Sequence, residues 1–378
     1  MPRRGASGMA GRRKDGADGT VVISTRVRLA RNFAHAKFPQ WASVKEREQV
    51  FHAAGAAIAS AARDLGVKAT TLRVSDSSDL ARKFYESRLV SRDLIDAEEG
   101  AGFSFVTPRR RASGNPLLDS VVVMVNEEDH FRIQSFRQGY DLDGAWKAAD
   151  EFDTALSRHA EYAFSRQMGY LTACPSNIGT GLRASVMVTL PGLLVCDETE
   201  AVFRAVERLG YNVRGMYGEG TKSSAPPFIA QISNRGTLGL DEKGVISALG
   251  KVVDEVVRVE IQARRYAMRH DSLYLADEIS RNLGLVKSAL MLGYDEFVSA
   301  LHMIRFGAEI GLVTGCSPEL IDEVLLASGD CAMRSLDFGQ RGKSVASLSD
   351  SKDYPDVLRS LMAQSLFEDA ALARGVRP

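Results

Sequence analysis

Three carboxylates, a histidine and an arginine crowd into the heptapeptide Asn126-Glu127-Glu128-Asp129-His130-Phe131-Arg132. The heptapeptide directly follows the apolar run Val121 to Val125, whose composition predicts a buried strand. Ionisable groups at the mouth of a core strand are costly to desolvate unless they bind something. A further carboxylate, Glu219, lies in Arg214-Gly215-Met216-Tyr217-Gly218-Glu219-Gly220. Such a set could hold a polyanion with its arginines and a cation with its glutamates.

Three other segments bear on the same chemistry. In Ser24-Thr25-Arg26-Val27-Arg28, strand alternation would put Ser24, Arg26 and Arg28 on one face and Val27 on the core side. Two guanidinium groups about 7 Å apart match neighbouring phosphates; a solvated strand face would carry arginines too. Cys174-Pro175-Ser176-Asn177-Ile178-Gly179-Thr180-Gly181-Leu182-Arg183 has small residues through which backbone N–H groups can approach an anion. Cys174 there is either a thiolate favoured by cationic neighbours or a small buried hydrophobe. The glycines of 214–220 suit a loop that closes on a ligand, and equally a plain surface turn. Together Arg26, Arg28, Arg132, Arg183 and Arg214 bring five positive charges from four segments, against Glu128 and Glu219. Their convergence is expected if a triphosphate and a cationic acceptor meet there.

The elements that must position these residues divide the chain in three. Residues 1–19, rich in Gly, Ala, Arg and Asp, read as a flexible tail. Residues 20–240 mix strands (20–30, 120–125, 183–190, 211–214, 228–233) with helices (49–65, 143–164, 197–209). There is no regular β-α-β alternation, and Gly179-Thr180-Gly181 lacks the lysine of a phosphate-binding P-loop. The expected fold class is therefore α+β, an antiparallel sheet flanked by helices. Residues 241–378 read as an α-helical C-terminal region: Val245, Leu249, Val252, Val256 and Val259 recur at helical spacing, and helices are expected over 272–292, 294–313, 318–327 and 356–373. A loop is expected over 342–353.

Composition excludes several classes. At 378 residues, with 45% hydrophobic and 25% charged, the chain has an ordinary globular balance. A net charge of +0 gives no global field toward nucleic acid or membrane, so neither partner is expected. The four cysteines (Cys174, Cys196, Cys316, Cys331) are widely spaced, which suits a reducing cytoplasm better than a disulfide framework or a zinc site. No apolar run approaches the roughly 20 residues needed to span a bilayer, and no secretory signal is evident.

The strings Asn126-Glu127-Glu128-Asp129-His130-x-Arg132 and Cys174 to Arg183, in this order, resemble the phosphagen kinase family of ATP:guanido phosphotransferases, over roughly residues 21–240. Arg132-Ile133-Gln134, Arg183-Ala184-Ser185-Val186-Met187, Arg214 to Gly220 and Gln231-Ile232-Ser233-Asn234 are similar to its bacterial protein arginine kinase branch. Gly220 follows Glu219 where the family's metabolite kinases usually have histidine. Those kinases also carry a helical domain ahead of the Ser24 strand, whereas this chain has a short tail there and extends helically after 240. The resemblance implies a nucleotide site of Ser24, Thr25, Arg26, Val27, Arg28, Arg132, Arg183, Ala184, Ser185, Val186, Met187, Arg214, Gly215, Met216, Tyr217, Gly218 and Glu219. Arg88 stands in for a histidine that the branch often carries there. It implies that Glu128 and Glu219 grip the acceptor guanidinium, with Cys174 beside the reacting nitrogen. The implied substrate is ATP with Mg²⁺ held mainly by the nucleotide phosphates and no dedicated protein metal ligand. The implied reaction is γ-phosphoryl transfer to arginine residues of proteins; a kinase of free arginine or another small guanidine, and a phosphoarginine- or client-binding adaptor, are the alternatives. Implied partners are protein substrates with accessible arginines, including a stress-response repressor and Clp-type unfoldases, and the C-terminal helices would allow a homodimer. The branch's Arg-Asp-x-x-Arg-Ala string is absent; Asp356-Val357-Leu358-Arg359-Ser360 is its nearest match.

Overall fold

In the computed structural model, the strand foreseen near residue 20 is β1 (Val22–Arg31), and it becomes the centre of an eight-stranded antiparallel sheet. The description covers residues 21–76, 78–87, 89–97, 99–107, 120–215, 228–336 and 345–373. Along the sheet the order is β2 (Lys68–Arg73), β3 (Gly102–Thr107), β4 (Val121–Val125), β5 (Phe131–Gln138), β1, β8 (Leu182–Thr189), β10 (Ile229–Asn234) and β9 (Tyr211–Gly215). A short hairpin, β6 (Phe164–Ser165) with β7 (Gly169–Tyr170), stands apart from it.

Alternation gives the sheet two unlike faces. Val27, Leu29, Val123, Ile133, Ala184, Val186 and Ile232 enter one apolar core with α1 (Val44–Asp64), α4 (Leu142–Leu156) and the first half of α7 (Glu242–His270). Among the described residues, helices cover the opposite face at one end. There Phe103, Val122 and Met124 pack with Phe84 of α2 (Ser78–Glu86) and Leu94 of α3 (Arg92–Ile95). The central strands of that face carry the arginines.

Three strands of the eight-stranded sheet go beyond the sequence expectation, β2, β3 and β5, as do the short β6 and β7. In β5 the core-facing residues Phe131, Ile133 and Ser135 alternate with Arg132 and Gln134, so no apolar run announces it. The helix expected over 143–164 stops at Leu156, because the following segment pairs with the extension of β1: Ala34 N–H donates to Glu161 O (2.9 Å) and Ala163 N–H to Asn32 O (2.8 Å). Helix α1 starts five residues before the expected one, where Ser43 and Glu46 form a reciprocal capping box.

After β8 come the short α5 (Pro191–Val195) and α6 (Thr199–Arg208). Helix α7 then joins two cores. Val245 to Val257 pack with the sheet, while Ala267 packs with α8 (Ser272–Ser288), α9 (Tyr294–Glu309), α10 (Pro318–Leu326) and α12 (Tyr354–Leu366). Between α10 and α12 lies α11 (Asp330–Ser335), which the sequence did not announce. The helix expected to reach 373 ends at Leu366, and β12 (Ala371–Leu372) pairs with β11 (Val313–Thr314). Among the described residues no helix is long and apolar enough to cross a membrane.

Candidate functional site

Register sets the arginine cluster. Arg28 lies opposite Arg183 on β8 and opposite Gln134 on β5. Arg26 lies opposite Ser185, Arg132 opposite Ala30, and Gln231 between Met187 and Arg214. Since side chains alternate, Ser24, Arg26, Arg28, Arg132, Arg183, Ser185, Met187, Gln231 and Arg214 share one face. Gln231 Oε1 accepts from Arg26 Nη2 at 3.0 Å. Val27, Ala184 and Val186 point into the opposite core, and the Thr25 hydroxyl donates to Gly139 O at 2.7 Å. These four flank the arginine face in sequence without reaching it by their side chains.

The cluster is electrostatically uncomfortable. Burial, reinforced by Arg26, Arg132 and Arg183, depresses the Arg28 pKa well below the usual arginine range. Burial and Arg132 lower that of Arg183, against the opposing pull of Glu128 and Cys174; burial and Arg183 lower that of Arg214. Arg28 Nε and Arg183 Nε and Nη2 are buried and have no hydrogen-bond partner among the described residues. Buried donors without acceptors are rare in native proteins, because each forfeits its hydration. Planar guanidinium donors on a positively charged sheet face fit the phosphates of a nucleotide.

Arg132 differs. Burial opposes its charge, but Glu127 and Glu128 outweigh that and raise its pKa. The Glu127 side chain is fully buried: it bonds Arg132 Nη1, accepts from Ser91 Oγ (2.5 Å) and accepts from Glu128 N–H (2.9 Å). Its pKa is lowered although burial pushes the other way, with Arg132 the largest opposing influence. Glu128, one residue on, turns outward with its side chain 33% exposed, 3.9 Å from Arg132 Nη2 and 3.5 Å from Asn177 Nδ2.

The β4–β5 turn that presents Glu128 is held by its neighbours. Asn126 takes a left-handed conformation (φ 54°) and donates to Arg47 O (2.8 Å) and Gly100 O (2.7 Å). Asp129 accepts from Asn32 Nδ2 (2.6 Å) and Ala173 N–H (2.7 Å). His130 Nδ1 accepts from Phe33 N–H (3.1 Å), its Nε2 contacts Lys37 O at 2.9 Å, and burial pushes its pKa down to about 4. Both residues shape the turn.

The Cys174 loop meets the turn from the other side. Cys174 Sγ lies 3.0 Å from Ser176 Oγ, and Pro175–Asn177 form one 3-10 turn. Thr237 Oγ1 is within 3.1 Å of Ser176 O and 2.6 Å of Ile178 O. Two glycines allow the approach. A Cβ at Gly179 (φ 115°) would lie 2.4 Å from Thr237 O, and one at Gly181 (φ 63°) would lie 2.7 Å from Ala30 O. Arg31 locks the base of the loop: it pairs with Asp153 (2.7 Å), donates to Thr180 O (2.9 Å) and stacks on Tyr170 (3.5 Å).

The structure thus brings together Arg26, Arg28, Arg132, Arg183 and Arg214 on one sheet face, with Glu128 and Cys174 at its end. Arg88, Met216, Tyr217, Gly218 and Glu219 lie outside the described residues; Gly215 is the last residue of β9. Glu127, Asn177 and Gln231 join the site without having been singled out. Their signal was position: Glu127 beside Glu128, Asn177 within the cysteine string, and Gln231 at the parity of a pairing that only the fold reveals. No group of three His, Cys, Asp or Glu side chains among the described residues is placed to hold a metal ion.

Similarity to known proteins agrees with this geometry. Residues 58–263 match the model of the ATP:guanido phosphotransferase C-terminal catalytic domain. The protein-arginine kinase of Symbiobacterium thermophilum is 35% identical over 317 residues, 82% of this chain and 86% of the relative. That of Desulforamulus reducens is 37% identical over 317 residues, 83% and 85% of the two chains. The fold is shared with the duplicated taurocyamine kinase of Schistosoma mansoni (TM-score 0.55, 24% identity, 72% of this chain and 38% of that one) and with a lombricine kinase (TM-score 0.51, 25% identity, 64% and 67%). With that match over more than half of its length and relatives this similar over most of theirs, the chain belongs to the ATP:guanido phosphotransferase family.

Proposed function

We propose that the protein is an ATP-dependent protein arginine kinase, transferring the γ-phosphoryl group to the guanidinium of arginine residues in proteins. The observation that carries the chemistry is the Arg28–Arg183 pair across β1 and β8, whose buried nitrogens have no partner among the described residues, at the end of the sheet where Glu128 turns outward. The acceptor class follows from the relatives named protein-arginine kinase, which match over more than four fifths of their length.

A guanidinium is protonated in water, with a pKa of about 12.5 or more, and must lose a proton to attack phosphorus. Glu128 is the base of this reading and Glu219 holds the remaining guanidinium nitrogens, so that one nitrogen points in line with the γ-phosphate. Charge in a loose phosphoryl-transfer transition state spreads over the phosphoryl oxygens, so positioning and electrostatics supply most of the catalysis. Arg28, Arg132, Arg183 and Arg214 meet that charge, and Arg26 and Gln231 extend the nucleotide wall. Mg²⁺ would arrive with the nucleotide and keep several waters. Cys174 favours the charged acceptor and orients it. The setting is the cytoplasm, and the partners include a stress-response repressor and a Clp-type unfoldase; the C-terminal helices serve a homodimer.

Incubating the purified protein with ATP, Mg²⁺ and an unstructured arginine-containing protein should yield acid-labile phosphate on arginine. Absence of such phosphate under conditions where ATP binds would refute this reading.

A further inference from the structure

Around the acceptor end of the site, large apolar side chains stand in solvent on segments bonded directly to the residues that hold Glu128 and Cys174. Trp41, 79% exposed, ends the turn Pro39–Trp41; its neighbour Gln40 donates from Nε2 to Glu128 O at 3.3 Å. Leu238, 63% exposed, follows Thr237, whose hydroxyl ties down Ser176 and Ile178 in the cysteine loop. It lies so close over that loop that a Cβ at Gly179 would meet Leu238 Cδ2 at 2.9 Å. Phe164, 57% exposed, packs edge-on against Tyr170 (5.2 Å), whose backbone pairs with Gly179. All three segments gather where β1 and β4 end and β5 and β8 begin.

Scattered exposed hydrophobes are ordinary on a protein surface. These are distinguished by continuity with the acceptor site: each is one residue, or one packed ring, from a group that bonds the Glu128 turn or the cysteine loop. A small guanidine has nothing to place against them. A polypeptide does, because residues on either side of an arginine lie about 3.3 Å per position along an extended chain and so pass over the rim.

We infer that Trp41 and Leu238, supported by Phe164, are specificity-determining residues that dock apolar side chains flanking the acceptor arginine of an extended polypeptide. This rests on the arginine-kinase reading and deepens it. The occupant is a segment whose apolar residues are exposed, as in an unfolded chain.

Two peptides test it, one with leucine and phenylalanine beside a single arginine and one with glycine and serine there. For the wild-type protein kcat/KM should favour the apolar peptide by roughly tenfold, the order expected for burying one apolar side chain, with the difference in KM. Trp41→Ser and Leu238→Ser should each shrink that ratio, and the double variant should bring it close to one. Docking is read separately by fluorescence in a Trp146→Phe background, where Trp41 is the remaining tryptophan. A lysine-for-arginine version of the apolar peptide should shift its emission to shorter wavelength, and the glycine–serine version should not. A wild-type ratio near one, or a ratio the variants leave intact, would overturn the inference. If neither peptide is phosphorylated the kinase reading fails instead, and the emission shift alone decides the docking: its absence refutes it.

Discussion

Adjacent residues with the same side-chain chemistry have opposite fates here. Glu127 is buried and bonded to Ser91, Arg132 and the Glu128 N–H, whereas Glu128 turns toward Asn177 and solvent. The sequence made the acidic cluster visible, but two neighbouring carboxylates can be told apart only once the turn geometry assigns one to the interior. Glu128→Gln should lower phosphoryl transfer about 10²–10⁴-fold, the usual loss for a missing general base, while ATP binding measured by calorimetry persists; near-normal turnover would remove Glu128 from that role. His130 belongs to stability. Its folded pKa, about 4, lies below the unfolded value near 6.5, so between these values the unfolded chain binds more protons and stability falls as pH falls. From pH 7 to pH 5 the wild-type protein should lose about 2 kcal/mol more than His130→Gln, as read by urea midpoints. Asp129, whose carboxyl is raised mainly by burial, acts in the opposite sense, so the variant comparison isolates the histidine. An equal pH dependence in both proteins would contradict the assignment.

At the scale of elements, β4 was legible because five consecutive apolar residues are buried on both faces. Alternation also announced the arginines of β1. Strand β5 was hidden by the feature that makes it useful: its second face places Arg132 and Gln134 ahead of Phe136, which breaks any apolar run. β2 is largely exposed and offered no apolar pattern either. The overextended helix after residue 143 shows a tertiary pairing, Phe33 with Tyr162, overriding a local preference. The paired arginines on β1 and β8 make a prediction of their own. Like charges held together and desolvated lower the stability of the nucleotide-free protein, and a polyanion relieves them. Arg28→Met should therefore raise the thermal midpoint without nucleotide, by the equivalent of about 1–4 kcal/mol. It should also abolish the further rise that MgATP gives the wild type. A lower midpoint without nucleotide would show that Arg28 is held by favourable contacts and is not poised for an anion.

At the scale of the molecule, the sheet and the helical region share α7, whose buried Glu260 accepts from the N–H groups of Gly192 and Leu193 and pairs with Arg264. The helical character after residue 240 was plain from the spacing of its valines, but a periodic stripe does not say which partner it faces, and α7 divides its own between two cores. In that region Arg359 is fully buried, donates to Ser328 O (2.7 Å) and Leu292 O (2.9 Å), and bonds Asp330 and Asp356. Its donors are committed to joining α11, α12 and the α8–α9 connection, so the Asp356–Ser360 string serves packing here.

The acceptor is the most consequential part of the account, because the same arginine face and the same Glu128 could serve a small guanidine. Flanking residues of a polypeptide add binding energy that can be used at the reacting centre, and free arginine lacks them. The direct measurement is kcat/KM for a disordered arginine-containing protein against free arginine, at one concentration of ATP and Mg²⁺. The protein substrate should be phosphorylated well and free arginine poorly or not at all; a clear preference for the free amino acid would contradict the protein-kinase reading while leaving the phosphotransfer chemistry standing.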